Sequence, residues 1–174
     1  MAYDFTLHVH RFAVWTAARA VSRDFIGTQG VQEAIEETCL PLALEQIASR
    51  PDLDSTAFDA FHKGAVNKLI DSLKNKAGSA AHKVTYGRAA KIVAIYIKTR
   101  YVLPNPTSTL SKVAHPPIDA ILLRNLSKTN KNSKLAKLRW TQLDEEKYFE
   151  LLNLIRQEIE LEYFWELEQF WVPS

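Results

Sequence analysis

The sequence has little cysteine, little glycine and no long apolar run. Its single cysteine, Cys39, precludes an intramolecular disulfide and a thiolate zinc site, which fits a reducing compartment, and we expect it to be buried. Five glycines in 174 residues argue against a turn-rich β architecture. No apolar run is long enough to span a bilayer and no secretory signal begins the chain, so the sequence predicts an intracellular, cytoplasmic protein without a membrane partner.

The residues that are present favour helices. The apolar fraction of 47% is ordinary for a globular protein, and the chain is long enough to bury one core. Apolar residues recur at helical spacing in segments bounded by capping residues, proline or glycine. The sequence therefore predicts a single compact all-α domain over residues 1–174, with helices at about 4–25, 28–47, 55–77, 87–102, from Pro117 onward, and 142–171.

Charge is segregated along the chain. Residues 1–71 carry ten acids and six bases, residues 72–143 carry one acid and fourteen bases, and residues 144–174 carry nine acids and two bases. A basic central segment of this kind can form the electropositive surface that a polyanion binder needs. The alternative is that the acidic, aromatic C-terminal helix folds back over the basic segment and neutralises it.

Asp119 is the one acid of this basic central segment. Because cationic neighbours favour the ionised form of a carboxyl group, Asp119 is a candidate for a catalytic task. The alternative is structural, since acids are common in the first turn of a helix, where the backbone is electropositive. His115, which precedes a proline, is interpreted as a turn residue, with a base-contacting or acid role as the alternative.

Two motifs follow one another in residues 86–124. Gly87-Arg88-Ala89-Ala90 opens a helix, and Ile118-Asp119 is followed five residues later by Arg124. In this order and spacing the stretch resembles the helix-hairpin-helix (HhH) superfamily of DNA glycosylases, in which a glycine hairpin precedes an apolar helix and a hydrophobic-Asp pair. The chain departs from that pattern at the hairpin, where Lys83-Val84-Thr85-Tyr86-Gly87 stands in place of Leu-Pro-Gly-x-Gly.

The resemblance implies an HhH-glycosylase-like fold and a hydrolytic chemistry. Asp119 would stabilise the positive charge that develops on deoxyribose as the N-glycosidic bond of a damaged or modified base breaks, or would orient the attacking water. The position of the nucleophilic lysine of lyase-competent members holds Ala89, so the resemblance implies a monofunctional enzyme that leaves an abasic site. It implies no metal and no cofactor.

The resemblance also implies that the partner is duplex DNA with a flipped base. Backbone amides at the start of the helix and nearby cations would hold the phosphates, and the polar segment after Asp119 would add further cations. The residues assigned to nucleic-acid binding are Gly87, Arg88, Lys91, Lys98, Arg124, Lys128, Lys131 and Lys134.

Two further functions remain open from the sequence. The same basic segment could serve a nucleic-acid-binding module without catalysis, or the C-terminal aromatic run could dock a partner in a helical interaction subunit. The chain contains no phosphate-binding glycine loop, no nucleophile elbow and no HExxH motif. The sequence indicates neither the base recognised nor the oligomeric state.

Overall fold

Nine α-helices make up most of residues 2–129 and 133–173, the part of the chain that the computed structural model describes. They are α1 (Phe5–Arg19), α2 (Thr28–Glu37), α3 (Leu40–Ala48), α4 (Ser55–Ala77), α5 (Tyr86–Ile97), α6 (Thr109–Val113), α7 (Ala120–Thr129), α8 (Ser133–Lys137) and α9 (Glu145–Glu158). No strand occurs among these described residues, which confirms the predicted single all-α domain. None of the described helices is long and apolar enough to cross a bilayer.

Capping residues set several helix ends where the sequence predicts them. Asp54 accepts a hydrogen bond from the backbone N–H of Ala57 at 2.7 Å and begins α4. The same helix ends at Gly78, which takes the positive φ of 51° that glycine adopts without steric cost. Asp144 caps α9 through the backbone N–H of Lys147 at 2.9 Å, so this helix begins three residues after its predicted start.

Helix α5 forms the centre of the domain. Nine of its twelve residues are buried, because α1, α4, α9 and a 3-10 turn at Trp140–Gln142 all pack around it. A π-helical turn at Lys98–Val102 extends α5 to the end that the sequence predicts. The side chains that α5 leaves near the surface include its cations Arg88 and Lys91, and Lys91 contacts Asp119 at the start of α7. Lys98 follows in the π-helical turn.

The C-terminal helix is shorter than predicted. Instead of one helix over about 142–171, α9 ends at Glu158, Ile159 is extended, and a 3-10 turn follows at Phe164–Phe170. The break lets the chain fold back so that Phe164 and Leu167 enter the core, where burial of apolar surface outweighs the lost helical hydrogen bonds. The aromatic run therefore closes the core of its own domain.

Cys39 is exposed, so the prediction that it is buried is wrong. It lies in the short connection between α2 and α3 and takes a φ of +51°, which is uncommon for a residue other than glycine. The physical reason is that only two residues connect α2 and α3, and the next residue, Leu40, fills the core position instead.

Candidate functional site

Asp119 lies directly before α7, and both of its carboxylate oxygens are hydrogen-bonded. Oδ1 accepts from the backbone N–H groups of Ile121 at 2.9 Å and Leu122 at 3.0 Å, the geometry of a helix cap. Oδ2 accepts from Lys91 Nζ at 3.1 Å and from Trp171 Nε1 at 3.0 Å. The residue is only 8% exposed, so these four donors fix the carboxylate in one orientation.

The surroundings of Asp119 keep it ionised. Burial alone would raise the pKa of its carboxyl group. The positive charge of Lys91 and the hydrogen bonds from Leu122, Trp171 and Lys91 outweigh burial, so the pKa lies below the ordinary value for an aspartate. The carboxylate is therefore charged at neutral pH, as the cationic sequence around it indicates.

Two lysines and two tryptophans surround this carboxylate. Lys91 Nζ lies 4.6 Å from the ring centre of Trp140, and Lys98 Nζ lies 5.9 Å from that of Trp171. The two lysines are seven residues apart on α5 and so share one face. We call these four residues together with Asp119 the Asp119 site. Neither tryptophan was predictable as a member of this site, because neither lies near Lys91 or Asp119 along the chain.

The C-terminal segment covers the Asp119 site. Glu168 forms an ion pair with Lys98, and the side-chain amide of Asn125 donates a hydrogen bond at 2.9 Å to the carbonyl oxygen of the residue before Trp171. Trp171 itself is 37% exposed and lies at the edge of the site. A ligand that binds Asp119 Oδ2 would compete with the indole of Trp171 and the ammonium group of Lys91, which already donate to this oxygen.

Gly87 lies at the start of α5, but its amide faces protein. The N–H of Gly87 donates to the carbonyl oxygen of Leu143 at 3.0 Å, and the hydroxyl of Thr85 donates to the carbonyl oxygen of Thr141 at 2.8 Å. A Cβ atom on Gly87 would lie 2.0 Å from the carbonyl oxygen of Trp140. The structure thus gives Gly87 a role in close packing, at the place where the resemblance puts a phosphate.

Arg88 contacts the segment that follows α1. Its guanidinium carbon lies 4.8 Å from the ring centre of Phe25, and its Nη1 donates to the backbone carbonyl of Asp24 at 3.3 Å. Arg88 is therefore separate from the Asp119 site, to which Lys91 and Lys98 belong.

The outer surfaces of α7 and α8 are basic. The two helices pack against each other, and the five described cations on and after them are all exposed: Arg124, Lys128, Lys134, Lys137 and Arg139. Lys131, which the sequence also assigns to nucleic-acid binding, lies outside the described residues. Within the described part of the chain, Arg124, Lys128, Lys137 and Arg139 form no ion pair. We call these five described residues the α7–α8 basic surface.

Elsewhere the basic central segment is neutralised mainly by acids from the first half of the chain. Lys76 pairs with Glu37 at 2.6 Å, and Lys83 and Arg100 pair with Asp24 and Glu45. The alternative in which the acidic C-terminal helix covers the basic segment therefore applies to Lys98, through Glu168. Among the described ion pairs it does not extend to Arg124, Lys128, Lys137 or Arg139.

We compared the chain with known proteins. No family model, curated protein or solved structure matches it. The support for a function therefore comes from the geometry of the Asp119 site and from the sequence motifs that resemble the HhH superfamily.

A separate polar cluster is buried between α4 and α9. His62 and His115 are 0% and 2% exposed, with ring centres 4.3 Å apart. His115 Nε2 donates to Asp59 Oδ1 at 2.7 Å, and both terminal nitrogens of Arg156 donate to the same carboxylate at 2.8 Å. With Nε2 donating to Asp59, His115 Nδ1 accepts a hydrogen bond from the hydroxyl of Tyr148 at 3.3 Å.

The sequence interpretation of His115 as a turn residue missed this network, whose members are far apart along the chain. The cluster is not a metal centre. Among the described residues, no group of histidine, cysteine and acidic side chains is arranged to hold a metal ion.

Proposed function

We propose that this chain binds DNA and hydrolyses the N-glycosidic bond of a damaged or modified base, with Asp119 as the catalytic carboxylate. The observation that carries the proposal is the Asp119 site itself: an ionised carboxylate, held by two backbone amides and a lysine, lies beside two tryptophan rings. It lies at the start of α7, whose outer surface presents unpaired cations to a polyanion.

The chemistry needs a fixed negative charge. As the N-glycosidic bond breaks, positive charge develops on the deoxyribose, and a carboxylate already oriented towards it stabilises that charge without reorganisation. The two amides on Oδ1 hold the carboxylate in place, so Oδ2 is the atom available to the sugar or to the attacking water. Lys91 contacts the same oxygen and keeps the carboxyl group ionised, as this role requires at neutral pH.

The tryptophans suit a base that has left the DNA stack. Base flipping places the target nucleotide in a pocket where it stacks on aromatic side chains, and each stacking contact contributes about 1–3 kcal/mol. Trp140 lies against Lys91, and Trp171 lies against Lys98 and donates a hydrogen bond to Asp119. In this proposal the entering nucleotide displaces the Trp171 indole from Oδ2 and takes its place beside the carboxylate.

The test is base excision by the wild-type chain and by Asp119→Asn. Asparagine still caps α7, so the variant removes the charge and retains the cap. We expect excision from a panel of duplexes carrying modified bases to fall about a hundredfold. The matched control is Asp144→Asn, which makes the same change at the exposed cap of α9 and should leave excision unaltered.

Circular dichroism of both variants checks that they remain folded. Equal product from wild type and Asp119→Asn would remove Asp119 from the chemistry. The hydrolytic prediction is checked in the same assay, because an abasic product breaks only after alkali. A strand break without alkali, with a protein adduct trapped by borohydride, would instead indicate an imine formed by a lysine.

Binding to DNA should depend on the α7–α8 basic surface. The logarithm of the binding constant falls with the logarithm of salt concentration, with a slope of about −0.9 per phosphate contact. We expect the double variant Arg124→Ala/Lys128→Ala to reduce this slope by about 2 and to weaken binding to every duplex alike. The control pair, Lys68→Ala/Lys74→Ala, removes two exposed cations of α4. An equal change of slope in both pairs would mean that the polyanion does not bind at α7 and α8.

The second candidate function is a nucleic-acid-binding module without catalysis. The observation that favours it is that all the hydrogen bonds of the Asp119 carboxylate are already made inside the protein, beneath the C-terminal segment. In that case Asp119 only caps α7 and anchors Trp171. Salt-dependent DNA binding with no abasic product from any substrate would select this function.

A further inference from the structure

The outward face of α1 carries aromatic and cationic side chains and no acid. Phe5, Phe12 and Trp15 are 68%, 53% and 49% exposed. Arg11 and Arg19 are also exposed, and no acidic residue occurs between the two ends of the helix. Large aromatic side chains in such numbers are unusual on the surface of a monomer and mark an interaction site.

The aromatic and cationic groups alternate along one ridge of the helix. Arg11, Trp15 and Arg19 are four residues apart, which makes each a neighbour of the next on the helix surface. The guanidinium carbon of Arg19 lies 5.9 Å from the ring centre of Trp15, and the ring of Phe12 is stacked on that of Trp15 at 6.1 Å with an angle of 24°. The indole of Trp15 therefore lies between the cations of Arg11 and Arg19 along the helix.

This face has no partner within the described chain. The inner side of α1 packs against α2 and α5, and its buried residues are Ala13, Val14, Ala17 and Ala18. Many other cations of the domain pair with acids, as Lys83 does with Asp24. Arg11 and Arg19 form no ion pair among the described residues, so their charge remains available to an external anion.

The chemistry of the face distinguishes between occupants. A second copy of the chain would bring Arg11 and Arg19 of both molecules onto one seam without acids to offset them. A helix that lies in a bilayer surface separates its apolar face from its cations, whereas here they share a ridge. A flexible polyanion with unstacked bases can contact both the exposed aromatic rings and the exposed arginines of this face.

We propose that the outward face of α1 binds single-stranded DNA. Unpaired bases stack on Phe12 and Trp15, and Arg11 and Arg19 contact the phosphates on either side. The inference rests on the proposed function for the identity of the polymer, but none of its residues belongs to the Asp119 site or to the α7–α8 basic surface. It adds a contact for the unpaired strand that a duplex-binding surface does not provide.

The experiment measures the binding of a fluorescein-labelled oligothymidylate to the full chain by anisotropy at low salt. We expect Phe12→Ala/Trp15→Ala to weaken binding at least about tenfold, and Arg11→Gln/Arg19→Gln to weaken it and flatten its salt dependence. The control is Leu42→Ala/Leu103→Ala, which removes two apolar side chains that are 58% and 59% exposed outside α1. The control should bind the oligonucleotide as the wild type does.

Three outcomes would overturn the inference. The first is oligothymidylate binding that is unchanged in both α1 variants. The second is that the α1 variants lose the wild type's binding to phosphatidylglycerol vesicles but still bind the oligonucleotide. That result would assign the face to a membrane surface. The third is a wild-type dimer that the α1 variants dissociate, with oligonucleotide binding intact.

Failure of the proposed function gives a different result. Oligothymidylate binding that depends on α1, with no abasic product from any duplex, would leave this inference standing and remove the glycosylase. Abasic product that depends on Asp119, with oligothymidylate binding unchanged in the α1 variants, would do the reverse.

Discussion

Gly87→Ala is expected to destabilise the domain by about 3 kcal/mol, as measured by urea unfolding. The added Cβ would lie 2.0 Å from the carbonyl oxygen of Trp140 and 3.2 Å from the Cβ of Leu143. The first of these is a backbone atom, so a rotamer change cannot relieve the clash. Either α5 or the segment that packs on it must shift, which breaks the 3.0 Å hydrogen bond from Gly87 to the carbonyl of Leu143.

The matched control for this variant is Gly64→Ala. Gly64 lies within α4, and a Cβ there would meet nothing within 4 Å. Alanine should therefore stabilise the helix by about 0.5–1 kcal/mol, because it loses less conformational freedom on folding than glycine. If Gly87→Ala were as stable as the wild type, the 140–143 segment would not pack on α5 as described.

The domain should lose stability as the pH falls from about 7.5 to 5.5 because of its two buried histidines. Burial holds the pKa of His62 well below its ordinary value of 6.5, and the positive charge of neighbouring groups adds to this. Burial also lowers the pKa of His115, although its hydrogen bond to Asp59 opposes the shift. Below pH 6.5 the unfolded chain takes up protons at both histidines that the folded chain does not accept.

The stabilisation from these histidines is therefore complete above their unfolded pKa and falls as the pH decreases, by up to about 1.4 kcal/mol per pH unit for each. The measurement is the free energy of unfolding in urea across this range. His62→Phe retains an aromatic ring stacked on Tyr148 and should remove about half of the loss. His82→Gln, a change at an exposed histidine, should leave the loss in place. An unfolding free energy that is independent of pH in His62→Phe and wild type alike would contradict the prediction.

Most helices were predictable from local signals, and the largest error, the length of the C-terminal helix, had no local signal. Both ends of α4 follow from Asp54 and Gly78, which cap a helix by their own chemistry. The break after Glu158 has no glycine or proline to mark it. It depends on Phe164 and Leu167 reaching a core built by other helices, and a local pattern carries no information about that contact.

The candidate site was predictable at its carboxylate and not at its partners. Asp119 stands out because it is the lone acid in a basic segment, and its ionised state follows from that setting. Its pairing with Lys91 and Trp171 is set by how α5, α7 and the C-terminal segment pack. The hairpin motif predicts phosphate binding at Gly87. In the folded chain the Gly87 N–H instead donates to the carbonyl oxygen of Leu143, a contact that no local pattern predicts.

The position of α5 along the chain has a consequence during synthesis. Helix α1 leaves the ribosome before α5, which covers part of its inner face and begins about 65 residues after α1 ends. At roughly 5–20 residues per second, that face waits on the order of 3 to 13 seconds for this partner. During that time the apolar residues of α1 that pack against α5 lack this partner.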